Sequence, residues 1–165
     1  GGSLEILKSV RRAVNIPVLR KDFILTTEQI SETTCAGGDA FLLIMEALKP
    51  PEMKKLFSYG QNLGLESLIE FHEIKKIEEV LSLDASIVGV NCRNLQTIDT
   101  DLNHLKVAFP FLPKKTLKVA ESGIKNKKDL NFVADLGYDA ALVGTSLMRT
   151  GNPGRALEIL IKDLT

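Results

Sequence analysis

A lysine and a glutamate, each near the end of a short apolar run, are the side chains of this sequence best suited to acid–base chemistry. If the two runs are β-strands, alternation puts Lys21 on the same side as Leu19, and Glu70 on the same side as Leu68. An ammonium and a carboxylate on the inward side of two strands would form an acid–base pair. Taken alone, either residue is equally a charged side chain reaching solvent at a strand end. The prediction of an acid–base pair rests on the two residues together.

Small residues at the ends of the last two apolar runs indicate an anion site. Ser122-Gly123 follows one run and Gly144-Thr145 ends the other. Backbone N–H groups at such turns can bind a phosphate. Glycine turns also occur without any ligand, but two of them at successive run ends, each beside a hydroxyl, favour phosphate binding.

Four other polar residues could have a functional role, but the sequence patterns around them are less specific. Asn91 ends an apolar run, where its amide could orient a substrate hydroxyl or bond its own backbone in a turn. Arg93 could bind an anion or pair with a surface carboxylate. His72 and His104 have no sequence partner at metal-ligand spacing, so the sequence predicts neither a metal site nor a nucleophilic triad.

Six short apolar runs position these residues, and each interval between them holds one helix and two loops. This alternation is the βα unit of a parallel sheet. Polar residues at the carboxyl ends of such strands gather at one face, where the active sites of (β/α) barrels are built. An open doubly wound sheet could also use six strands, but the strand-end chemistry favours the barrel. The runs are 18–22, 40–44, 68–71, 87–91, 118–122 and 141–145.

Length and composition narrow the class of protein. The 165 residues fit one domain, 1–165, and the formal net charge of zero recruits neither nucleic acid nor an anionic membrane. No apolar stretch approaches the roughly 20 residues that span a bilayer, and the charged residues of 1–14 do not read as a signal peptide. Two cysteines are too few for a disulfide framework. The sequence therefore predicts a cytoplasmic globular protein.

In this order, the strings around these residues resemble the indole-3-glycerol phosphate synthase family over essentially the whole chain. The Arg-Lys-Asp-Phe and Asn-x-Arg-Asn-Leu strings are specific to that family, whereas many barrels share the phosphate turns. The resemblance implies a (β/α)8 barrel, of which the six strands here are the third to the eighth. The strings are Gly2-Ser3-Leu4, Pro17-Val18-Leu19-Arg20-Lys21-Asp22-Phe23, Leu68-Ile69-Glu70, Asn91-Cys92-Arg93-Asn94-Leu95, Glu121-Ser122-Gly123-Ile124 and Val143-Gly144-Thr145-Ser146-Leu147-Met148-Arg149.

The resemblance also implies a role for each matching residue. Lys21 would be the general acid that protonates the ketone of 1-(2-carboxyphenylamino)-1-deoxyribulose 5-phosphate. Glu70 would assist it, and Asn91 would hold a substrate hydroxyl. No metal or organic cofactor is implied, because the substrate's own ketone accepts the electron pair. The substrate-binding residues would be Phe23 and Leu42 at the anthranilate, Arg93 in its loop, and Ser122, Gly123, Gly144 and Thr145 at the phosphate.

The sequence departs from the family in two respects. Cys92 stands where the family usually has a polar asparagine, which we expect to be tolerated because Asn91 is kept. The family's amino-terminal extension and first two strands, with a lysine and a glutamate of the site, have no counterpart. A closed barrel has eight strands in about 250 residues. We therefore expect the chain alone to have little activity, and to self-associate through open sheet edges or be complemented by an amino-terminal segment.

Two alternatives remain open at the level of sequence. One is another phosphate-binding barrel, such as a phosphoribosyl-anthranilate isomerase or a pentose-phosphate epimerase. Lys21 followed by Asp22-Phe23, with Glu70 two strands further on, favours the synthase. The other is a non-catalytic fragment that binds a phosphate ligand or complements a separate half.

Overall fold

The computed structural model describes residues 2–94 and 97–162. Leu95, which ends the Asn-x-Arg-Asn-Leu string, lies outside them. Along the chain six strands alternate with helices, as the apolar runs predict. The strands are β1 (Leu19–Arg20), β2 (Ala40–Ile44), β3 (Glu66–Phe71), β4 (Ile87–Asn91), β5 (Leu117–Glu121) and β6 (Ala140–Leu142). The helices are α1 (Leu4–Ala13), α2 (Thr27–Cys35), α3 (Pro50–Asn62), α4 (Ile77–Ser82), α5 (Asn103–Ala108), α6 (Lys127–Leu136), α7 (Thr145–Met148) and α8 (Pro153–Ile161), with short 3-10 helices at Ile74–Lys76 and Phe109–Phe111.

The chain forms two compact units, Gly1–Val88 and Gly89–Thr165. Each is described separately below. A single domain spanning 1–165 stays a prediction. Helices of the described part of the chain are all too short or too polar to traverse a lipid bilayer.

In the first unit, β1, β2 and β3 pair in parallel. β2 is a continuous apolar run because both of its faces are covered, as is usual for a parallel sheet. Leu42 lies beside Leu68 in the register, and Ile44 beside Glu70, so these four side chains share one face of the sheet. The core side chains with essentially no exposure include Phe41, Leu43, Ile69 and Ile30.

In the second unit, β5 and β6 pair in parallel with Val119 beside Ala140 and Glu121 beside Leu142. Helix α6 packs on β6 and contacts α5 and α8. The buried Tyr138 hydroxyl donates to the carbonyl of Leu105 at 2.9 Å. Burial also raises the pKa of that phenol above its usual range.

The helix boundaries follow from local hydrogen bonds. Thr26 caps α2 and forms a capping box with Gln29. Asn126 caps α6 by accepting from the backbone N–H of Asp129. That helix ends at Gly137, whose φ of 98° lies in the left-handed region that glycine adopts without strain. The sequence predicts a cap of α2 at Thr26 or Thr27, and for α6 a cap at Asn126 and an end at Leu136-Gly137; the structure confirms these boundaries, with Thr26 as the cap of α2.

Strands β1 and β6 are shorter than the sequence predicts. β1 stops at Arg20, whose guanidinium donates to the carbonyl of Gln29 in α2, and the chain from Lys21 onward has no regular secondary structure until α2 begins. β6 stops at Leu142, since Gly144 leaves the extended region (φ −123°, ψ −69°) and α7 begins directly after it.

The helical periodicity of the sequence predicts that Ala156, Leu157, Leu160 and Ile161 of α8 face inward, and the buried face of the helix is narrower than that. Leu160 is buried, whereas Leu157 and Ile161 are about half exposed. Helix α8 contacts α6 and α7 along a narrow stripe, which covers one side chain where the helical periodicity predicts several.

We expect Gly60→Ala to destabilise the first unit. A Cβ at Gly60 in α3 would lie 2.3 Å from the ring of Phe41, which is fully buried in β2. Overpacking of this kind costs about 1–3 kcal/mol. Urea unfolding should give a lower midpoint, and Ser58→Ala, on the exposed side of the same helix, should not lower it. An unchanged midpoint for Gly60→Ala would show that α3 does not pack on β2 in this way.

Candidate active site

Lys21 and Glu70 form an ion pair within the first unit. The distance from Lys21 Nζ to Glu70 Oε2 is 3.3 Å. The Glu70 side chain is 2% exposed and that of Lys21 is 42% exposed. A carboxylate held out of water thus lies beside an ammonium that is open to solvent on one side. This arrangement can deliver a proton to a ligand and stabilise the charge that remains.

The strand pairing of β3 fixes the position of Glu70. Glu70 lies opposite Ile44 of β2, and its carbonyl accepts from the backbone N–H of Met45 at 2.9 Å. Burial of a carboxylate is costly unless the charge is compensated. The Lys21 ammonium supplies that compensation.

The two residues assigned to the anthranilate differ in exposure. Leu42 is buried on β2, on the same face as Glu70. Phe23 is 59% exposed in the segment that follows β1. Leu42 therefore lies on the face of the sheet that carries Glu70, and Phe23 has an exposed aromatic ring two residues after Lys21. Their contact with a substrate ring stays a prediction.

The two glycine turns of the second unit lie against each other. The Ser146 hydroxyl donates to the carbonyl of Ile124 at 2.8 Å, which joins the turn after β5 to the turn after β6. Ser122 and Gly123 have φ values of 68° and 75°. Gly144 and Thr145 are exposed to solvent. The four predicted phosphate residues thus belong to two adjoining turns, two of them open to a ligand.

Close contact explains why glycine stands at position 123. A Cβ there would lie 2.8 Å from Cys92 Sγ and 3.0 Å from Thr100 Cγ2. The positive φ would strain any other side chain as well. The turn after β5 therefore approaches the chain after β4 more closely than a larger residue allows.

Asn91 and Arg93 lie at the end of β4 and just after it. Asn91 is buried, and its Oδ1 accepts from the backbone N–H of Arg93 at 2.9 Å. This is the turn bond that the sequence left open, and a role in holding a substrate hydroxyl stays a prediction. The Arg93 Nε is buried and has no hydrogen-bond partner among residues 2–94 and 97–162.

Two carboxylates near strand ends have no role assigned from the sequence. Glu121, the last residue of β5, is 1% exposed and directly precedes Ser122. Its strand-end position, like that of Glu70, is the signal that could have singled it out. Glu46 follows β2, and its Oε1 accepts from the backbone N–H groups of His72 and Glu73 at 2.8 and 2.9 Å. It thereby fixes the chain just after β3.

The two cysteines should differ in reactivity. Cys92 is buried, and the loss of hydration raises the pKa of its thiol to about 11. Cys35 is exposed. Since the thiolate is the reactive form, a disulfide reagent at pH 8 should modify Cys35 rapidly and Cys92 only after unfolding. In a Cys35→Ser variant the fast phase should disappear. A fast phase that survives would show that Cys92 is accessible.

Parallel βα units with polar residues and glycine turns after the strands are typical of the (β/α)-barrel class, here an incomplete (β/α)8 barrel with six parallel strands. Solved structures of low identity share this fold. A mandelate oxidase variant superposes with a TM-score of 0.75 at 14% identity, covering 99% of this chain and 67% of the other. A thiamine phosphate pyrophosphorylase from Pyrococcus furiosus gives a TM-score of 0.72 at 19% identity, covering 96% and 74%.

Sequence comparison identifies the family. The family model of indole-3-glycerol phosphate synthase matches residues 1–160. The indole-3-glycerol phosphate synthase of Carboxydothermus hydrogenoformans is 40% identical over 97% of this chain and 61% of its own length. Indole-3-glycerol phosphate synthase 1 of Streptomyces coelicolor is 42% identical over 98% of this chain and 60% of its own length. The chain belongs to the indole-3-glycerol phosphate synthase family, and it spans about three fifths of the length of these relatives.

Proposed function

We propose that this chain carries the acid–base pair and the phosphate turns of an indole-3-glycerol phosphate synthase. The proposed reaction converts 1-(2-carboxyphenylamino)-1-deoxyribulose 5-phosphate into indole-3-glycerol phosphate, carbon dioxide and water, in tryptophan biosynthesis. The observation that carries the proposal is the ion pair of Lys21 with the buried Glu70. The small phosphorylated substrate of this biosynthetic step supports a cytoplasmic location.

Lys21 would act first, as the general acid. Its ammonium donates a proton to the ketone oxygen while the ring carbon bearing the carboxylate attacks the ketone carbon. The new carbon–carbon bond closes the five-membered ring and leaves a hydroxyl at the former ketone. The carboxylate then departs as carbon dioxide, and its bonding electron pair restores the aromatic ring.

Glu70 would act around the dehydration. The hydroxyl leaves as water after it takes up a proton, and a proton lost from the ring gives the indole. The Glu70 carboxylate, 3.3 Å from Lys21, stabilises the ammonium before transfer, then takes up the proton that the ring loses and returns it to the Lys21 amine. No metal or organic cofactor enters the proposed reaction, because the protonated ketone accepts the electron pair.

The remaining site residues would bind the substrate rather than exchange protons with it. Asn91 would hold a hydroxyl, and Arg93 would support the site with its buried Nε. Leu42 and Phe23 would contact the anthranilate ring. The phosphate would bind at Ser122, Gly123, Gly144 and Thr145. The hydrogen bond that joins their two turns supports this role.

Turnover by this chain alone is expected to be low. Its relatives are longer, since the chain covers only 61% of the Carboxydothermus hydrogenoformans protein. We propose that the part of the relatives outside this match completes the site, either supplied as a separate segment or covalently joined. Without it, open sheet edges would favour self-association.

Synthase assays of the chain with and without that segment test the proposal. The substrate is incubated with the 165-residue chain, with the unmatched segment of the Carboxydothermus hydrogenoformans relative, and with both co-expressed, while indole-3-glycerol phosphate fluorescence is followed. We expect turnover from the combination and little from either part. Phosphate binding without turnover in every combination would favour the non-catalytic alternative and contradict the proposal.

A further inference from the structure

The segment that carries Lys21 lies outside the sheet. β1 ends at Arg20, and α2 begins only at Thr27. Residues 21–26 between them have no regular secondary structure. Sheet pairing therefore fixes Glu70 but not the backbone of Lys21, and other contacts must hold the lysine at 3.3 Å from the carboxylate.

Arg20 makes a dense set of contacts next to Lys21. Its Nη1 donates to the carbonyl of Gln29 at 2.7 Å and lies 3.3 Å from both Glu32 Oε2 and Thr33 Oγ1. Its Nη2 donates to Asp22 Oδ2 at 3.2 Å. The Arg20 side chain is only 11% exposed. The guanidinium of the residue before Lys21 is therefore joined to the residue after it and to the first two turns of α2.

Gln29 continues this network along the same segment. Its Nε2 donates to the carbonyl of Phe23 at 3.0 Å. Its Oε1 accepts from the backbone N–H groups of Leu25 and Thr26 at 2.7 and 3.1 Å. We call Arg20, Asp22 and Gln29 together the Arg20 network. It binds the chain on both sides of Lys21 to the start of α2.

We propose that Arg20 is a positioning residue that holds the Lys21 ammonium against Glu70. The Arg20 guanidinium contacts α2 and Asp22, whereas the Lys21 ammonium lies beside Glu70 of β3. The contacts of Arg20 with α2, and its ion pair with Asp22, thus hold the backbone on both sides of Lys21, while the lysine ammonium lies beside the Glu70 carboxylate. The consequence for catalysis rests on the proposed function, but the placement of Lys21 does not.

The placement is tested directly on the 165-residue chain. Its lysine amines are reductively methylated with ¹³C-labelled methyl groups. The NMR signal of the Lys21 methyl groups is identified by its loss in Lys21→Arg. Glu70→Gln should move that signal in the parent chain. In an Arg20→Met background most of this movement should be lost, because the ammonium no longer lies beside residue 70.

Arg11→Met is the matched control. Arg11 also pairs with a carboxylate, Asp39 at 2.9 Å, and donates to a backbone carbonyl, that of Val14 at 2.6 Å. In its background Glu70→Gln should move the Lys21 signal as far as in the parent chain. Circular dichroism checks folding. If Arg20→Met fails to fold, Asp22→Asn and Arg20→Lys replace it, and both should reduce the movement. A full movement in any folded Arg20 or Asp22 variant would overturn the proposal.

Enzyme kinetics supply the second readout. They are measured on this chain combined with the complementing segment. A small misplacement of a catalytic group can cost up to about 100-fold in rate. Arg20→Met should lower kcat about 10- to 100-fold and leave KM nearly unchanged, and Arg20→Lys should recover part of kcat. A raised KM with unchanged kcat would contradict a positioning role. If the parent chain combined with the complementing segment gave no turnover, the proposed function would be refuted. The NMR comparison would still show whether Arg20 positions Lys21.

Discussion

Lys21→Met should abolish almost all synthase turnover. Methionine keeps most of the length and apolar stem of the lysine but has no proton to donate, so the ketone would be attacked without a general acid. General acid–base groups contribute roughly 10²- to 10⁴-fold, and we expect a loss of kcat near the upper end of this range. The loss should appear in fluorescence assays of the chain combined with the complementing segment. KM should change little, because the phosphate turns are untouched.

Lys118→Met is the control for this substitution. Lys118 is also a lysine near a carboxylate, with its Nζ 3.8 Å from Asp139 Oδ2, but it lies in the first half of β5. Its replacement should leave kcat essentially unchanged. Lys21→Met with near-parental kcat would show that another group protonates the ketone.

Glu70→Gln should give the second largest loss of turnover. The amide keeps the shape of the side chain in its buried position but removes the charge that faces the Lys21 ammonium. We expect kcat to fall roughly 100-fold. The chain should remain folded, because glutamine removes a buried charge without opening a cavity.

Glu66→Gln distinguishes this effect from a general loss of charge on β3. Glu66 lies on the same strand at its exposed amino end, where it accepts from the Ser86 hydroxyl. Its replacement should not change kcat. Equal losses for the two variants would show that the charge of the strand, and not the pair with Lys21, is what matters.

The periodicity of β3 predicts the buried position of Glu70 because the cause of that burial is local. Two-residue alternation from Leu68 puts Glu70 on the core side, and the structure has it 2% exposed. The capping positions Thr26 and Asn126 are predictable for the same reason, since a cap depends on residues within one helical turn. Parallel pairing brings the strand ends together without further information.

Contacts between elements explain what the sequence does not predict. The contacts of Arg20 depend on where α2 packs. The sequence therefore indicates a charged residue at this position but does not indicate its partners. The early end of β6 depends on the backbone angles of Gly144, which glycine leaves unspecified. Glu46, in the turn after β2, fixes the chain after β3, and no local pattern indicates a contact between residues 26 positions apart.

A crystal structure of the completed protein with a reduced substrate, in which the ketone is replaced by a hydroxyl, tests the central claim most directly. The decisive measurement is the distance from Lys21 Nζ to that hydroxyl oxygen. We expect about 2.6–3.2 Å, with Glu70 still beside the ammonium and the phosphate bound at residues 122–123 and 144–145. A lysine turned away from the hydroxyl, with another acid in hydrogen-bonding contact, would contradict the assignment of Lys21.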